Sequence, residues 1–154
     1  MERPAPERRE AYPHFRTVPT RWMDNDVYGH VNNVVCYSYF DTVVNGFLVE
    51  HGLLDIQRSA VIGLVVETGC RYFAPIAFPD TVHAGLRVAH LGRRSVRYEI
   101  GLFRNEEDPA VAQGHFVHVY VERATGAATD LPADTRAALA ELRSESSLQA
   151  SRRP

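Results

Sequence analysis

An apolar segment from Asn32 to Glu50 constrains the fold more than any other part of the sequence. The segment is long enough for about five turns of helix. Apolar side chains cover most of the circumference of that helix: Val34, Val35, Cys36, Tyr37, Tyr39, Phe40, Val43, Val44, Phe47, Leu48 and Val49. A helix that is apolar nearly all round has to be buried in a large core. Gly52 is the expected C-terminal cap.

Beyond residue 60 the apolar period changes from helical to two, which is typical of antiparallel strands. We predict strands at about 60–74, 82–88, 96–102 and 111–121, with a weaker first strand at 14–22 that Pro19 restricts to an edge or a bulge. The strand at 111–121 is apolar on both faces and is expected to be central. In the strand at 60–74 we expect one shared face, formed by Ile62, Leu64, Val66, Thr68, Cys70, Tyr72 and Ala74.

The order of elements predicts an α+β fold with a long buried helix against one antiparallel sheet. Residues 1–12 are expected to form a flexible arm, residues 13–142 a single domain and residues 143–154 a disordered tail. A short helix at 131–142 with Asp130 or Asp134 as its cap completes the domain. The opposite face of the sheet is expected to contact another subunit through Val61, Val65, Phe73, Val117, Val119 and Val121.

Composition excludes several classes of function. The 154 residues are 45% apolar with a net charge of −2, which argues against a nucleic-acid-binding protein. No apolar run approaches the ~20 residues of a membrane span, and the charged N-terminal segment lacks the apolar core of a signal peptide. Two cysteines are too few for a disulfide framework, so a cytoplasmic location is expected.

The turn before the helix combines Asp24, Asp26, Gly29 and His30, and it meets the positive end of the helix dipole. An Asp in this position is often a cap or turn residue. It can equally be a positioned carboxylate beside unpaired helix N–H groups. The residues alone leave both interpretations open for Asp26, whereas Asp24 is interpreted as structural.

The turn Asp24-Asn-Asp26-Val-Tyr-Gly29-His30-Val-Asn32-Asn33, followed by a helix and four strands, resembles the hotdog-fold thioesterases, in particular the 4-hydroxybenzoyl-CoA thioesterase-like branch. The resemblance covers about residues 14–124. It implies a five-stranded antiparallel sheet wrapped around one long central helix, and hydrolysis of an acyl-CoA thioester. It further implies no cofactor other than the coenzyme A of the substrate, and a homodimer or tetramer.

The same resemblance assigns the catalytic carboxylate to Asp26, as nucleophile or general base. It assigns the oxyanion donor to the backbone N–H of Asn33, with Asn32 adjacent. His30 is a candidate for orienting the carboxylate or lining the pocket, although a neutral His bonded to the loop backbone is equally ordinary. Tyr28 is expected on the substrate side of the turn.

Four further residues are candidates for substrate binding. Arg93, Arg94 and Ser95 form a predicted hairpin that could bind the phosphates of coenzyme A, although an exposed Arg is usually only solvated surface. Glu67 is expected to pair with Arg71 or to lie at an interface, and the alternative is a contribution to the pocket of a partner subunit.

Two other reactive groups are interpreted as structural. Cys36 lies among apolar side chains and is expected in the core rather than as a nucleophile. His115 and His118 lie three apart on a strand and hence on opposite faces, so they cannot share a metal. We predict no metal site.

Two alternatives to hydrolysis stay open. One is a hotdog hydratase or dehydratase of acyl thioesters, which uses a His with a carboxylate, and His30 fits this pattern. The other is a module that binds acyl-CoA without turnover. Release of free thiol from a saturated acyl-CoA separates hydrolysis from both.

Overall fold

The computed structural model describes residues 3–143, which form one antiparallel sheet and two α-helices. The elements are β1 (His14–Pro19), α1 (Asn33–Glu50), β2 (Val61–Tyr72), β3 (Thr81–Leu91), β4 (Ser95–Arg104), β5 (Ala112–Glu122) and α2 (Ala133–Ala140). The strand order is β1-β3-β4-β5-β2. The predicted α+β class and five-stranded antiparallel sheet are therefore confirmed, with β1 at an edge and β5 inside the sheet. The tail predicted at 143–154 lies outside the described residues, apart from Arg143.

Helix α1 begins and ends with local hydrogen bonds that the sequence specifies. At its start the side chain of Asn32 accepts a 3.0 Å hydrogen bond from the N–H of Val34. At its end Gly52 takes a φ of 68°, and the N–H of Leu53 donates to the carbonyl of Leu48 at 2.8 Å. This left-handed residue stops the helix, because only glycine adopts it without steric cost. The predicted cap at Gly52 is confirmed.

The main core lies between the helices and the inner face of the sheet. On α1 the side chains of Phe40, Val43 and Val44 are fully buried, and α2 adds Leu139. The sheet contributes apolar side chains from its inner face: Val82, Ala84, Leu86, Val88, Val96, Tyr98, Ile100, Leu102 and Phe116. Helix α2 begins after Pro132 without a side-chain cap, so neither Asp130 nor Asp134 has the predicted capping role.

Strand β2 does not keep one face along its length, because its pairing with β5 shifts register between Val65 and Glu67. Ile62 and Leu64 lie on the outer face, whereas Cys70 and Tyr72 lie on the inner face. The prediction of a single shared face from Ile62 to Ala74 is wrong, since a β-bulge inserts one residue and reverses the alternation. Val61 and Val65 were predicted on the outer face, but both lie on the inner side. Val65 pairs with His118, and Val61 packs on the core.

The segment before β1 packs on the outer face of the sheet. Gly85 of β3 and Gly101 of β4 are register partners, and a Cβ atom on either would lie 2.6–2.8 Å from the ring of Tyr12. The ring fills this gap, leaving Tyr12 5% exposed, and the guanidinium of Arg87 lies 4.9 Å from its centroid. Arg9 donates to the carbonyl of Glu107 at 3.0 Å. Residues 3–12, expected as part of a flexible arm, thus contact the sheet.

We expect Tyr12→Ala to lower the free energy of unfolding by about 3 kcal/mol, because it leaves a cavity over the two glycines. Urea denaturation monitored by circular dichroism measures the change. Tyr28→Ala is the matched control, since Tyr28 is 85% exposed and its loss should change stability by less than ~0.5 kcal/mol. Equal effects of the two substitutions would contradict the packing of the N-terminal segment.

Candidate active site

The turn that precedes α1 is held by the buried carboxylate of Asp24, which is 1% exposed. This carboxylate accepts hydrogen bonds from the backbone N–H of Arg21 at 2.9 Å, from Nε of Arg21 at 3.0 Å and from the hydroxyl of Tyr39 at 2.8 Å. Burial by itself would raise the pKa of Asp24, but the hydrogen bonds outweigh it and leave the pKa below its ordinary value. Asp24 is therefore a charged anchor that ties the turn to the middle of α1, as its structural interpretation predicted.

The turn itself places Asp26 at the surface. Its backbone N–H donates to the carbonyl of His30 at 2.9 Å, and its carbonyl accepts from Gly29 at 3.0 Å. Gly29 has a φ of 81°, which a residue with a Cβ adopts only at a steric cost. The carboxylate of Asp26 accepts one hydrogen bond, from the N–H of Tyr28 at 2.8 Å. The turn thus orients the carboxylate and leaves its second oxygen without a partner among the described residues.

The first N–H groups of α1 differ in their partners. The N–H of Asn32 donates to the backbone carbonyl of Asp24 at 2.8 Å. The N–H of Val34 donates to the side chain of Asn32, and that of Val35 donates to the carbonyl of Asn32 at 2.9 Å. The N–H of Asn33 has no acceptor within residues 3–143. Of the two predicted oxyanion donors, Asn33 is thus the one whose N–H is available, and Asn32 is the helix N-cap.

A cleft of about 470 Å³ brings four of the predicted residues together, since Asp26, Tyr28, His30 and Asn33 all line it. Its other wall comes from the end of β2, the loop that follows and the start of β5, through Tyr72, Phe73, Ala74, Pro75, Ile76 and Ala112. A carboxylate and an unpaired N–H at a helix N-terminus are the two groups needed for acyl transfer at a carbonyl.

Tyr72 is a site residue that the sequence analysis did not assign. Its hydroxyl donates to the backbone carbonyl of Asn33 at 2.9 Å, so β2 holds the first residue of α1 from across the cleft. Burial is the main cause that raises the pKa of Tyr72, and the neighbouring Cys70 raises it further. The hydroxyl therefore stays protonated and can donate. Thirty-nine residues separate the two partners, and no local pattern in the sequence could have paired them.

Cys36 also borders the cleft, one turn into α1. Its side chain is buried, and burial raises the pKa of the Cys36 thiol to about 12. A thiol with this pKa is protonated at neutral pH and is a poor nucleophile. The interpretation of Cys36 as a core residue is confirmed.

The predicted phosphate-binding hairpin lies away from the cleft of its own chain. Arg93 and Arg94 contact Asp130 at 3.0 and 3.3 Å, and Ser95 pairs with Val119. The cleft instead borders Ala112, and the stretch of β5 from 112 to 119 spans about 23 Å at 3.3 Å per residue. Arg93, Arg94 and Ser95 therefore do not meet Asp26 within one chain.

Glu67 is likewise remote from the cleft. It lies on the outer face of the sheet, where its carboxylate contacts Nε2 of His115 at 2.9 Å and Nη1 of Arg97 at 3.4 Å. The predicted pairing with Arg71 is wrong, because the partners come from the neighbouring strand β5 and from β4, the strand beyond it. His118 lies on the inner face, opposite His115, as predicted.

Two broader features complete the description of the site. Within residues 3–143 no group of three or more His, Cys, Asp or Glu side chains is placed to hold a metal ion. Neither described helix is long and apolar enough to cross a membrane.

We expect Asp24→Asn to lower the free energy of unfolding by about 2 kcal/mol, because hydrogen bonds to a buried charge are lost. The folded state lowers the pKa of Asp24, so its stabilising effect is complete above the unfolded pKa of about 3.9 and is lost as the pH falls through the folded pKa. Denaturation of both proteins at several pH values should show a constant difference at neutral pH that shrinks below about pH 4. Asp26→Asn is the control, since an amide oxygen can still accept from Tyr28. A pH-independent difference for Asp24→Asn would contradict the anchor role.

Comparison with known proteins identifies the family of this chain. A family model of the thioesterase-like superfamily matches residues 18–139. The crystal structure of the PA5185 protein from Pseudomonas aeruginosa strain PAO1 is 53% identical, with a TM-score of 0.90 over 92% of this chain and 99% of that chain. The PA2801 protein from the same species, a thioesterase candidate, is 30% identical, with a TM-score of 0.77 over 82% of this chain and 98% of its own.

A third structure, the BH1999 gentisyl-coenzyme A thioesterase, is 23% identical and is similar in fold, with a TM-score of 0.74 over 82% of this chain and 99% of that chain. The family model spans the turn with Asp24 and Asp26, helix α1 and strands β2 to β5. The chain therefore belongs to the thioesterase-like superfamily.

Proposed function

We propose that this protein hydrolyses an acyl-CoA or a related acyl thioester to the free acid and the thiol. The observation that carries the proposal is that one cleft is lined by both Asp26 and Asn33, whose N–H has no acceptor in the described part of the chain. Membership of the thioesterase-like superfamily supports the reaction type. We also propose that the fold is a hotdog fold, in which the sheet wraps around α1 as its central helix.

Asp26 has two possible chemical roles in this reaction. As a nucleophile it attacks the thioester carbonyl, the thiolate leaves, and water then hydrolyses the mixed anhydride. As a general base it takes a proton from a water molecule, which attacks the same carbonyl, and the thiolate leaves directly. In both routes negative charge develops on the carbonyl oxygen before the carbon–sulfur bond breaks.

The N–H of Asn33 is proposed to stabilise that charge. It stands at the positive end of α1, where unpaired N–H groups and the helix dipole favour an anion. The N–H belongs to a capped helix, so it needs little reorganisation as the charge develops. His30 and Tyr28 line the same cleft and are proposed to contact the substrate or to orient Asp26.

We further propose that the protein acts as a homodimer or tetramer. Support comes from β2, an edge strand that leaves Leu64, Val65 and Val66 exposed. Arg93, Arg94 and Ser95 are distant from the cleft of their own chain, so we propose that they bind the coenzyme A phosphates only where a second copy brings them to the cleft. A contribution of Glu67 to the cleft of a partner subunit is proposed on the same condition.

We expect Asp26→Asn to reduce thiol release from acyl-CoA substrates by about 10²-fold or more, because the amide can replace the hydrogen bond from Tyr28 but not the carboxylate chemistry. A colorimetric thiol assay over a panel of acyl-CoA thioesters measures the rate. Asp55→Asn, in an exposed loop outside the cleft, is the control and should retain wild-type rates.

Two other outcomes of this assay would be informative. Turnover that survives Asp26→Asn would assign the catalysis to another group. A folded wild-type protein that releases no thiol from any substrate would exclude hydrolysis of these thioesters and would favour a hydratase or a binding module.

We expect Tyr72→Phe to lower kcat about fivefold, with KM almost unchanged, because it removes a hydrogen bond of ~1 kcal/mol that positions Asn33 and contributes to oxyanion binding only in the transition state. Steady-state kinetics separate the two parameters. Tyr37→Phe is the matched control, since Tyr37 is partly buried like Tyr72 but does not line the cleft. An unchanged kcat, or an effect on KM alone, would refute the positioning role of Tyr72.

A further inference from the structure

The depth of the cleft is limited where α1 and β5 meet. Cys36 of α1 and Ala112 of β5 line the inner end of the cleft, and both side chains are buried. An acyl group attached to a carbonyl at Asn33 would point toward this end if it entered the space between helix and sheet. The next layer of side chains therefore decides how long that group can be.

The next layer of side chains beyond Cys36 and Ala112 consists of Phe40, whose ring packs against Gly114. Phe40 lies one turn beyond Cys36, and Gly114 follows Ala112 on the same inner face, about 7 Å along β5. A Cβ atom on Gly114 would clash with the carbonyl oxygen of Gly69 and would lie 2.5 Å from Cε2 and 2.6 Å from Cζ of Phe40, so the β2 backbone and this ring together fill the space that a side chain would occupy. Phe40 is 0% exposed. No gap is left between helix and strand at this depth.

The core stays closed beyond Phe40. Val43, Val44 and Tyr98 are also fully buried. A separate cavity of about 330 Å³ lies farther along α1, between Leu48 and Tyr120, and its lining shares no residue with that of the cleft. The packed layers separate the two spaces, so a long chain cannot pass from one to the other.

We propose that Phe40, seated on Gly114, forms the floor of the acyl site and restricts the enzyme to compact acyl groups, either short aliphatic or single-ring aromatic. This inference rests on the proposed thioesterase function and specifies its substrate class. The axial rise from Asn33 to Phe40 is about 10 Å, which limits the length of a group that points inward. Tyr72 and Phe73 on the facing wall add aromatic surface against which a planar group can pack.

Thiol release from a series of acyl-CoA thioesters tests this assignment, from acetyl- to dodecanoyl-CoA with benzoyl-CoA included. For the wild type we expect kcat/KM to fall at least tenfold between the best short or aromatic substrate and dodecanoyl-CoA. For Phe40→Ala we expect the ratio of the dodecanoyl to the butyryl value to rise at least tenfold, because the floor is removed. Phe40→Leu, which leaves a smaller gap, should give an intermediate ratio and serves if the alanine variant does not fold.

Val44→Ala is the matched control, since Val44 is equally buried but lies one turn farther along α1 from the cleft than Phe40. It should keep the wild-type ratio while weakening the core. Efficient hydrolysis of dodecanoyl-CoA by the wild type, or an unchanged ratio in folded, active Phe40 variants, would overturn the inference and leave the thioesterase function standing. Absence of turnover with every thioester would overturn both.

Discussion

The buried carboxylate of Asp24 is the contact on which the geometry of the candidate site depends. Its oxygens bond Arg21 before the turn and Tyr39 in the middle of α1, and its backbone carbonyl bonds the N–H of Asn32. One residue therefore fixes both ends of the turn relative to the helix. A charge in this position is stabilised by its hydrogen bonds. Without them the turn would keep its backbone contacts and the hydrogen bond from the N–H of Phe78 to the side chain of Asn25.

The two carboxylates of the motif differ because their surroundings differ. Asp24 has several donors and almost no contact with solvent, so its oxygens are occupied. Asp26 stands two residues later on the outside of a tight turn, and within residues 3–143 its carboxylate has a single donor, the N–H of Tyr28. The turn thus separates a carboxylate that holds the structure from one that lines the cleft, and the spacing of the motif is what permits this division.

Local features of the sequence predicted the helix, its glycine cap, the strands and the grouping of Asp26, His30 and Asn33, because each depends on residues close together in the chain. The bulge at Val66 was not predictable, since it reflects how β2 pairs with a strand about fifty residues later. The same limit applies to Tyr72 and to the remote position of Arg93. Sequence spacing identifies a face or a turn, whereas the wall opposite it depends on the topology of the whole sheet.

The residues that close the cleft also stabilise the fold, and this links substrate size to stability. Gly114 has no side chain, so Phe40 can lie directly on the strand, and the core is then filled at the depth where the cleft ends. A wider acyl site would require a smaller side chain at this point and would leave a cavity in the centre of the core. Substitutions at the open mouth of the cleft carry no such cost, because the exposed Tyr28 and His30 contribute little to packing.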